Sequence, residues 1–330
     1  MSAIEIDRLL HLESAYSEIR EWKRSNDAVI LAHYYMPAEL QVLERDGGIA
    51  DFIGDSLGLS VEATRVTKQN IVFCGVRFMA ETAKILNPSK RVFIPDNEAG
   101  CSLASSISAE DVRVLRSEHP GVPVIAYINT YAETKAECDI CCTSRNALKI
   151  VESFESDTLI FLPDFYMGQN LQKQISKQST KKLILWKGVC EVHEQFTSDS
   201  LQRLTLQNPQ AEVLLHWEVP KSAVESALAQ SNGVLGSTND ILRYVGESSA
   251  TQFILASECD LGATLHAMYP AKQFITPCIK CQHMKKITVE NTLATLKTIG
   301  TPNMTQYEIT LDADVMTKAR TPIHRMLQFT

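Results

Sequence analysis

The 330-residue chain is 45% hydrophobic and 22% charged, an ordinary balance for a globular protein with room for two or three domains. Its net charge of −7 and pI of about 5.7 argue against a nucleic-acid surface, which needs a basic patch, but leave open a small anionic substrate held by local donors. No apolar run approaches the roughly 18 residues of a membrane span, and Met1–Leu10 carries early acids without an apolar signal core, so the expected setting is the reducing cytoplasm.

In chain order, residues 3–25 read as an amphipathic helix with Ile6, Leu9, Leu10 and Leu12 as its apolar positions. Ala28–Ala32 is a predicted strand that empties into His33, Tyr34 and Tyr35; a short helix and the Gly47-Gly48 turn follow. Phe52-Ile53 leads to Gly54-Asp55-Ser56, where Asp55 or Ser56 is placed to cap the next helix. Strands at Ile71–Cys74 and Val92–Ile94 bracket a helix that opens at Gly75–Glu81. The alternation then repeats twice. A helix at 108–118, strands at Val122–Ala126, Ile140–Cys142, Leu159–Leu162 and Leu183–Leu185, and helices from Arg145 and about Tyr166 make the second unit. A helix at 196–207 and strands at Val213–Leu215, Gly233–Leu235, Phe253–Leu255 and Gln273–Pro277 make the third; helices at 288–298 and 312–328 finish the chain. Regular alternation of strand and helix without linkers predicts packed α/β units with parallel sheets.

Each unit closes with a strand followed by a cysteine: Arg91–Pro95 before Cys101, Leu183–Trp186 before Cys190, and Gln273–Pro277 before Cys278 and Cys281. Cys101 and Cys190 are 89 residues apart (190 − 101), and Cys190 and Cys281 are 91 apart (281 − 190). That regularity suggests a triplication whose strand-end cysteines meet at a metal centre. Cys278-Ile-Lys-Cys281 alone lacks the second pair that a structural zinc needs; three thiolates without a fourth protein ligand suit an iron–sulfur cluster with one open iron. For Cys74, Cys138, Cys141, Cys142 and Cys259 the plain reading is a small buried apolar side chain.

Ligands of parallel sheets bind beyond the carboxyl ends of the strands. The polar residues at those ends are His33, Tyr35, Ser56, Tyr127, Asn129, Ser144, His193, His216, Glu218, Ser237, Thr238 and Glu258. Taken singly, Ser56, Ser144 and Thr238 are explained as helix caps, and the histidines and tyrosines as packed rings. Sent to one edge by all three units, they read as a pocket. Gly236-Ser237-Thr238 and Thr143-Ser144 are candidate anion cradles at helix starts. Gly-x-Gly-x-x-Gly and the P-loop pattern are both missing, which argues against a nucleotide cofactor.

With these pieces in place, the chain resembles the quinolinate synthase family. The resemblance is carried by Ala32-His-Tyr-Tyr35, Gly54-Asp-Ser-Leu57, Gly75–Leu86, Ala126-Tyr-Ile-Asn-Thr130, Thr143-Ser144, Leu162-Pro-Asp164, Trp186-Lys-Gly-Val-Cys-Glu-Val-His193, Gly236-Ser-Thr238 and Pro322–Leu327, and it covers nearly the whole chain in order. It implies three Rossmann-like αβα domains around a pseudo-threefold axis with the active site at the centre. The units are then 1–101, 102–190 and 191–287, with 288–330 as C-terminal helices packing back on the core. It further implies a 4Fe–4S cluster on Cys101, Cys190 and Cys281, where Cys281 is chosen over Cys278 because Gln-His-Met-Lys follows it. The implied reaction condenses iminoaspartate with dihydroxyacetone phosphate to quinolinate, losing phosphate and two waters.

By the same resemblance His33, Ser56 and Ser144 hold substrate carboxylates, and His216, Ser237 and Thr238 hold the phosphate. Asn129 lines the pocket, Tyr35 and Tyr127 orient intermediates, and Glu218 with His33 and His193 moves protons. A desolvated Glu218 is expected to titrate above its usual range. The family's usual His-Pro-Glu reads His216-Trp217-Glu218 here, which predicts a different local turn. Expected partners are the two small substrates, with transient contact to an aspartate oxidase, for a monomer or homodimer. Two rival readings remain: a zinc-dependent phosphosugar lyase or aldolase, and a redox protein using Cys278 and Cys281 as a dithiol.

Overall fold

The computed structural model describes the backbone of residues 3–329 and side chains from residue 9 onward. It forms two compact units, Met1–Gly100 with Gln282–Leu311, and Cys101–Cys281 with Asp312–Thr330. The first unit opens with α1 (Ala3–Ser25), β1 (Ala28–His33), β2 (Phe52–Gly54), α2 (Ser56–Arg65), β3 (Asn70–Cys74), α3 (Arg77–Leu86) and β4 (Arg91–Phe93). The second holds α4 (Ala109–Glu118), β5 (Val124–Tyr127), α5 (Ala132–Ala136), β6 (Ile140–Cys142), α6 (Ala147–Ser153), β7 (Thr158–Leu162), α7 (Phe165–Ile175) and β8 (Lys182–Leu185). It continues through α8 (Ser198–Gln207), β9 (Glu212–His216), α9 (Lys221–Gln230), β10 (Gly233–Gly236), α10 (Thr238–Glu247), β11 (Gln252–Ala256), α11 (Asp260–Met268) and β12 (Gln273–Ile275). Of the last two helices, α12 (Val289–Thr298) packs on α1 and β3 of the first unit, and α13 (Ala313–Leu327) packs on α5 and β6 of the second.

The strands build three four-stranded sheets, ordered β2-β1-β3-β4, β6-β5-β7-β8 and β10-β9-β11-β12, and every pairing is parallel. The order is the same each time: second strand, first, third, fourth. The fold is therefore the expected α/β arrangement of three Rossmann-like αβα sheets, each crossover within a sheet made by an α-helix except that from β1 to β2. Central strands carry continuous apolar runs because both faces are covered, as in Val124–Tyr127, where every residue is buried.

Four expectations change. The Leu183–Leu185 run, whose unbroken apolar character reads as a buried strand, is a half-buried edge strand, since β8 has only one neighbour. The buried stripe of α1 is Tyr16, Ile19 and Lys23, while Leu9 and Leu10 are 48% and 65% exposed; the Ile6 side chain lies outside the described residues. The short helix after β1 is a pair of 3₁₀ turns, Ala38–Leu40 and Glu44–Asp46. Cys259 is not an inert thiol: it forms a disulfide with Cys278, Cα atoms 4.5 Å apart. That bond also removes Cys278 from the Cys278/Cys281 dithiol, and leaves Cys281 outside any disulfide.

Candidate active site

A residue two places past the end of a parallel strand has left the ladder, and its side chain is available at the carboxyl edge. The repeated strand order makes these positions comparable. The first strand of each sheet ends in His33, Tyr127 or His216, and two residues later come Tyr35, Asn129 and Glu218. Two residues beyond each second strand stand Ser56, Ser144 and Thr238. Two residues beyond each third strand stand Val76, Asp164 and Glu258.

In the first unit His33 is buried and its Nδ1 accepts the Tyr35 N–H at 3.1 Å, while the two rings meet edge to face at 4.7 Å. A neutral imidazole that accepts at Nδ1 carries its proton on Nε2. The Tyr35 carbonyl accepts from Lys285 Nζ at 2.6 Å, which fixes the turn. Asp55 caps α2 through the Gly58 N–H at 2.7 Å, so the Ser56 hydroxyl is not needed as the cap.

In the second unit the polar groups converge on Glu218. Tyr127 donates its hydroxyl to Glu218 Oε1 at 2.5 Å, joining the ends of β5 and β9. His193 Nδ1 lies 3.0 Å from Glu218 Oε2 and 3.2 Å from Cys190 Sγ, and its Nε2 lies 3.5 Å from Ser257 Oγ. The His193 and His216 rings stack at 4.5 Å. His216 Nδ1 accepts the Glu218 N–H at 3.4 Å, the same local turn that His33 makes with Tyr35. The turn is held from below by Asn170 of α7, whose Nδ2 donates to the Trp217 and Val219 carbonyls at 2.9 Å each. The turn is thereby held with Trp217 between His216 and Glu218.

Burial pushes the His216 pKa down to about 3, His193 adds to the effect, and Glu218 opposes it. His216 is thus a neutral ring offering Nε2–H. Burial of Glu218 acts in the expected upward direction, yet His193, by charge and hydrogen bond, with His216 and Tyr127, outweighs it and holds the carboxyl below its usual range. Contrary to the sequence expectation, Glu218 stands as a carboxylate.

The three strand-end cysteines Cys101, Cys190 and Cys281 belong to this unit and form no disulfide. Removal from water pushes the Cys101 thiol up to about 12, with Cys281 and Glu218 adding to the rise; Cys190 is raised by burial, Glu218 and Cys101. Backbone N–H groups of Ala104 and Leu103 point at Cys101, and that of His193 at Cys190. Glu258 accepts the Cys281 N–H at 3.2 Å and the Asp260 N–H at 2.8 Å, so both its oxygens serve the loop that carries Cys281. Among the described residues, Cys190, His193 and Glu218 also form a group whose ligand atoms fall within 4.8 Å of one another.

The two anion cradles differ from expectation. Ser237 caps α10 in a box with Asp240, whose Oδ2 receives both the Ser237 N–H at 3.0 Å and its hydroxyl at 2.7 Å. Thr238 is the first residue of that helix and is buried. Ser144 does not start a helix: α6 begins at Ala147, and Asn146 Oδ1 accepts the Thr143 N–H at 2.7 Å. Asn129 Oδ1 is buried without a partner.

Residues 17–328 match the family model described as quinolinate synthetase A protein. The chain belongs to this family. It is 43% identical over 314 residues to the quinolinate synthase of Caulobacter vibrioides, covering 94% of this chain and 80% of that one. It is 43% identical over 310 residues to that of Agrobacterium fabrum, covering 94% and 84%. It is 42% identical over 323 residues to quinolinate synthase 1 of Mesorhizobium japonicum, covering 98% and 90%.

Membership in this family of enzymes agrees with the resemblance read from the sequence. No helix among the described residues is long and apolar enough to cross a membrane. Sequence reasoning passed over four residues that shape the site: Asn170, Ser257, Asp164, and Glu258 in its role of holding the cysteine loop. Asp164 lay inside the quoted Leu162-Pro-Asp164 block, and counting two residues past each third strand finds it. Asn170 acts through backbone carbonyls on another sheet, for which a single sequence has no signal.

Proposed function

We propose that the chain condenses iminoaspartate with dihydroxyacetone phosphate to quinolinate, releasing phosphate and two waters, in the cytoplasm. The observation that carries this reading is the presence in one unit of three cysteines outside any disulfide and the buried Glu218–His193–Tyr127 group. Thiols that raise one another's pKa are stable only as neutral S–H, or as thiolates on a bound cation, and soft sulfur donors suit iron–sulfur ligation. The inward N–H groups at Cys101 and Cys190 are the kind that tune cluster thiolates. Cys101, Cys190 and Cys281 would hold a 4Fe–4S cluster. When bound, it supplies a Lewis acid that makes a substrate hydroxyl a better leaving group.

The protein's own groups do the rest. Glu218, already a carboxylate, accepts protons from carbon, and the Tyr127 hydroxyl on Oε1 is placed to hand one to a leaving oxygen. His193, between Glu218 and Ser257, holds the carboxylate in place and passes protons along the chain. His216 Nε2–H and Thr238 are assigned to the phosphate, and Asn129 to a substrate donor; Ser144, with His33, Ser56 and Tyr35 of the first unit, keeps the role that the resemblance implies. Because Asp240 already fills the capping box, Ser237 serves the helix first and the phosphate second.

Anaerobic reconstitution with iron and sulfide, followed by a quinolinate assay with both substrates, tests the reading. Bound iron and sulfide with product formation is the expected result; a cluster-loaded protein that makes no quinolinate overturns it. The close Cys190–His193–Glu218 group favours one rival, a single zinc ion, and the same metal analysis separates the two.

The phosphate assignment has its own check. Thr238→Ala is expected to raise the KM for dihydroxyacetone phosphate about tenfold without lowering the melting temperature. Ser237→Ala is expected to cost about 1 kcal/mol of stability through loss of the cap. An unchanged KM in Thr238→Ala removes the phosphate role.

A further inference from the structure

Asp164 is fully buried at the carboxyl end of β7 and caps α7, its Oδ1 accepting the Met167 N–H at 2.6 Å. Its Oδ2 is buried without a partner. One oxygen suffices for an N-cap, and serine or threonine would serve as well. A second carboxyl oxygen left idle in the interior is a cost that capping does not explain. The equivalent residue of the next sheet, Glu258, shows the contrast, since both of its oxygens are spent on backbone N–H groups.

The surroundings say what state the idle oxygen is in. Burial first, and the Glu218 charge second, hold the Asp164 carboxyl well above its ordinary range; the Met167 and Tyr166 N–H groups oppose this without winning. Its backbone is bridged to Gly188, whose carbonyl accepts the Phe165 N–H at 2.8 Å, on the loop that carries Cys190. Gly188 is closely confined there, since a Cβ would fall 2.7 Å from the Pro163 carbonyl oxygen and 2.3 Å from Ser106 Oγ. Asp164 is therefore fixed within electrostatic reach of Glu218 and Cys190, at the strand-end position that Glu258 occupies in the next sheet.

We infer that Asp164 is a further substrate-contacting residue of this site, its Oδ2–H kept free to donate to an oxygen of the bound substrate. The inference rests on the proposed location of the reaction around Glu218. It assigns Asp164 no proton transfer, only a hydrogen bond, and so separates it from Glu218.

Two variants and one spectrum test it. Asp164→Ser keeps the cap and removes the donor; Asp164→Asn keeps the cap and puts an N–H where the O–H was. In the reconstituted enzyme Asp164→Ser should keep iron content and melting temperature and lose about 10- to 100-fold in kcat/KM, while Asp164→Asn should stay within about fivefold of the wild type. Wild-type turnover in Asp164→Ser reduces the residue to a cap, and equal loss in both variants shows that a proton rather than a hydrogen bond was needed; either result overturns the inference. Infrared difference spectra of the wild type against Asp164→Asn should show the carbonyl stretch of a protonated carboxyl group that shifts when quinolinate is added. Absence of the band, or indifference to quinolinate, also overturns it. Failure of the proposed reaction reads differently: the wild type itself would make no product, and the infrared result would still decide for or against Asp164.

Discussion

Cys190→Ser, Cys101→Ser and Cys281→Ser, each purified and reconstituted anaerobically, are expected to lose most of their bound iron and all measurable quinolinate formation. Serine matches cysteine in shape, but its hydroxyl does not ionise at neutral pH and is a hard donor, so it cannot replace a thiolate on a soft metal centre. Cys278→Ser is expected to keep iron at wild-type level, because that sulfur is bonded to Cys259. Iron and labile sulfide per chain, measured beside the brown absorbance of the cluster, check all four variants. Iron lost from Cys278→Ser and retained in Cys281→Ser would show that the third ligand was chosen wrongly.

The second large effect concerns Glu218. Glu218→Gln keeps the side chain's shape and can still pair with Tyr127 and His193, but it cannot accept a proton. Turnover is expected to fall by about 10²-fold or more, with iron content and the KM for dihydroxyacetone phosphate little changed. Because neighbours hold Glu218 below the usual carboxylate range, its base form persists as pH falls, so the acidic limb of the wild-type rate profile should not carry an ordinary glutamate ionisation. A Glu218→Gln enzyme with near-wild-type turnover would move the proton-transfer role to Tyr127 or His193.

The repeat was legible because strand-end position is a matter of counting. Tyr127 ends a strand, Glu218 and Thr238 stand two residues past one, and Cys190 and Cys101 follow theirs by five and eight residues (190 − 185, 101 − 93), and apolar runs survive in a single sequence. The titration of Glu218 was read in the wrong direction because burial is visible in sequence and the partners that answer it are not: His193 sits 25 residues away and Tyr127 91 residues away. Cys259 was misjudged for the same reason, since its partner lies beyond α11, 19 residues on. The helix expected from Arg145 starts at Ala147 because the Asn146 side chain turns back to the Thr143 N–H, a local competition between side chain and helix that favours a turn.

The two-piece make-up of the first unit governs how the chain is made. The unit's fourth strand ends at Phe93, but α12, which covers β3 and α1, begins only at Val289, 196 residues later (289 − 93). The backbone partner of β4 is as late: the Ile94 N–H donates to the Tyr307 carbonyl, and the Ile309 N–H to that of Val92. At roughly 5–20 residues per second, a ribosome leaves that face and that strand edge open for about 10–40 s. The second unit waits in turn for α13 to cover α5 and β6. A nascent chain stalled before residue 289 would therefore present unpaired strand edge and apolar surface from both units, making it a client for chaperones until its final forty residues emerge.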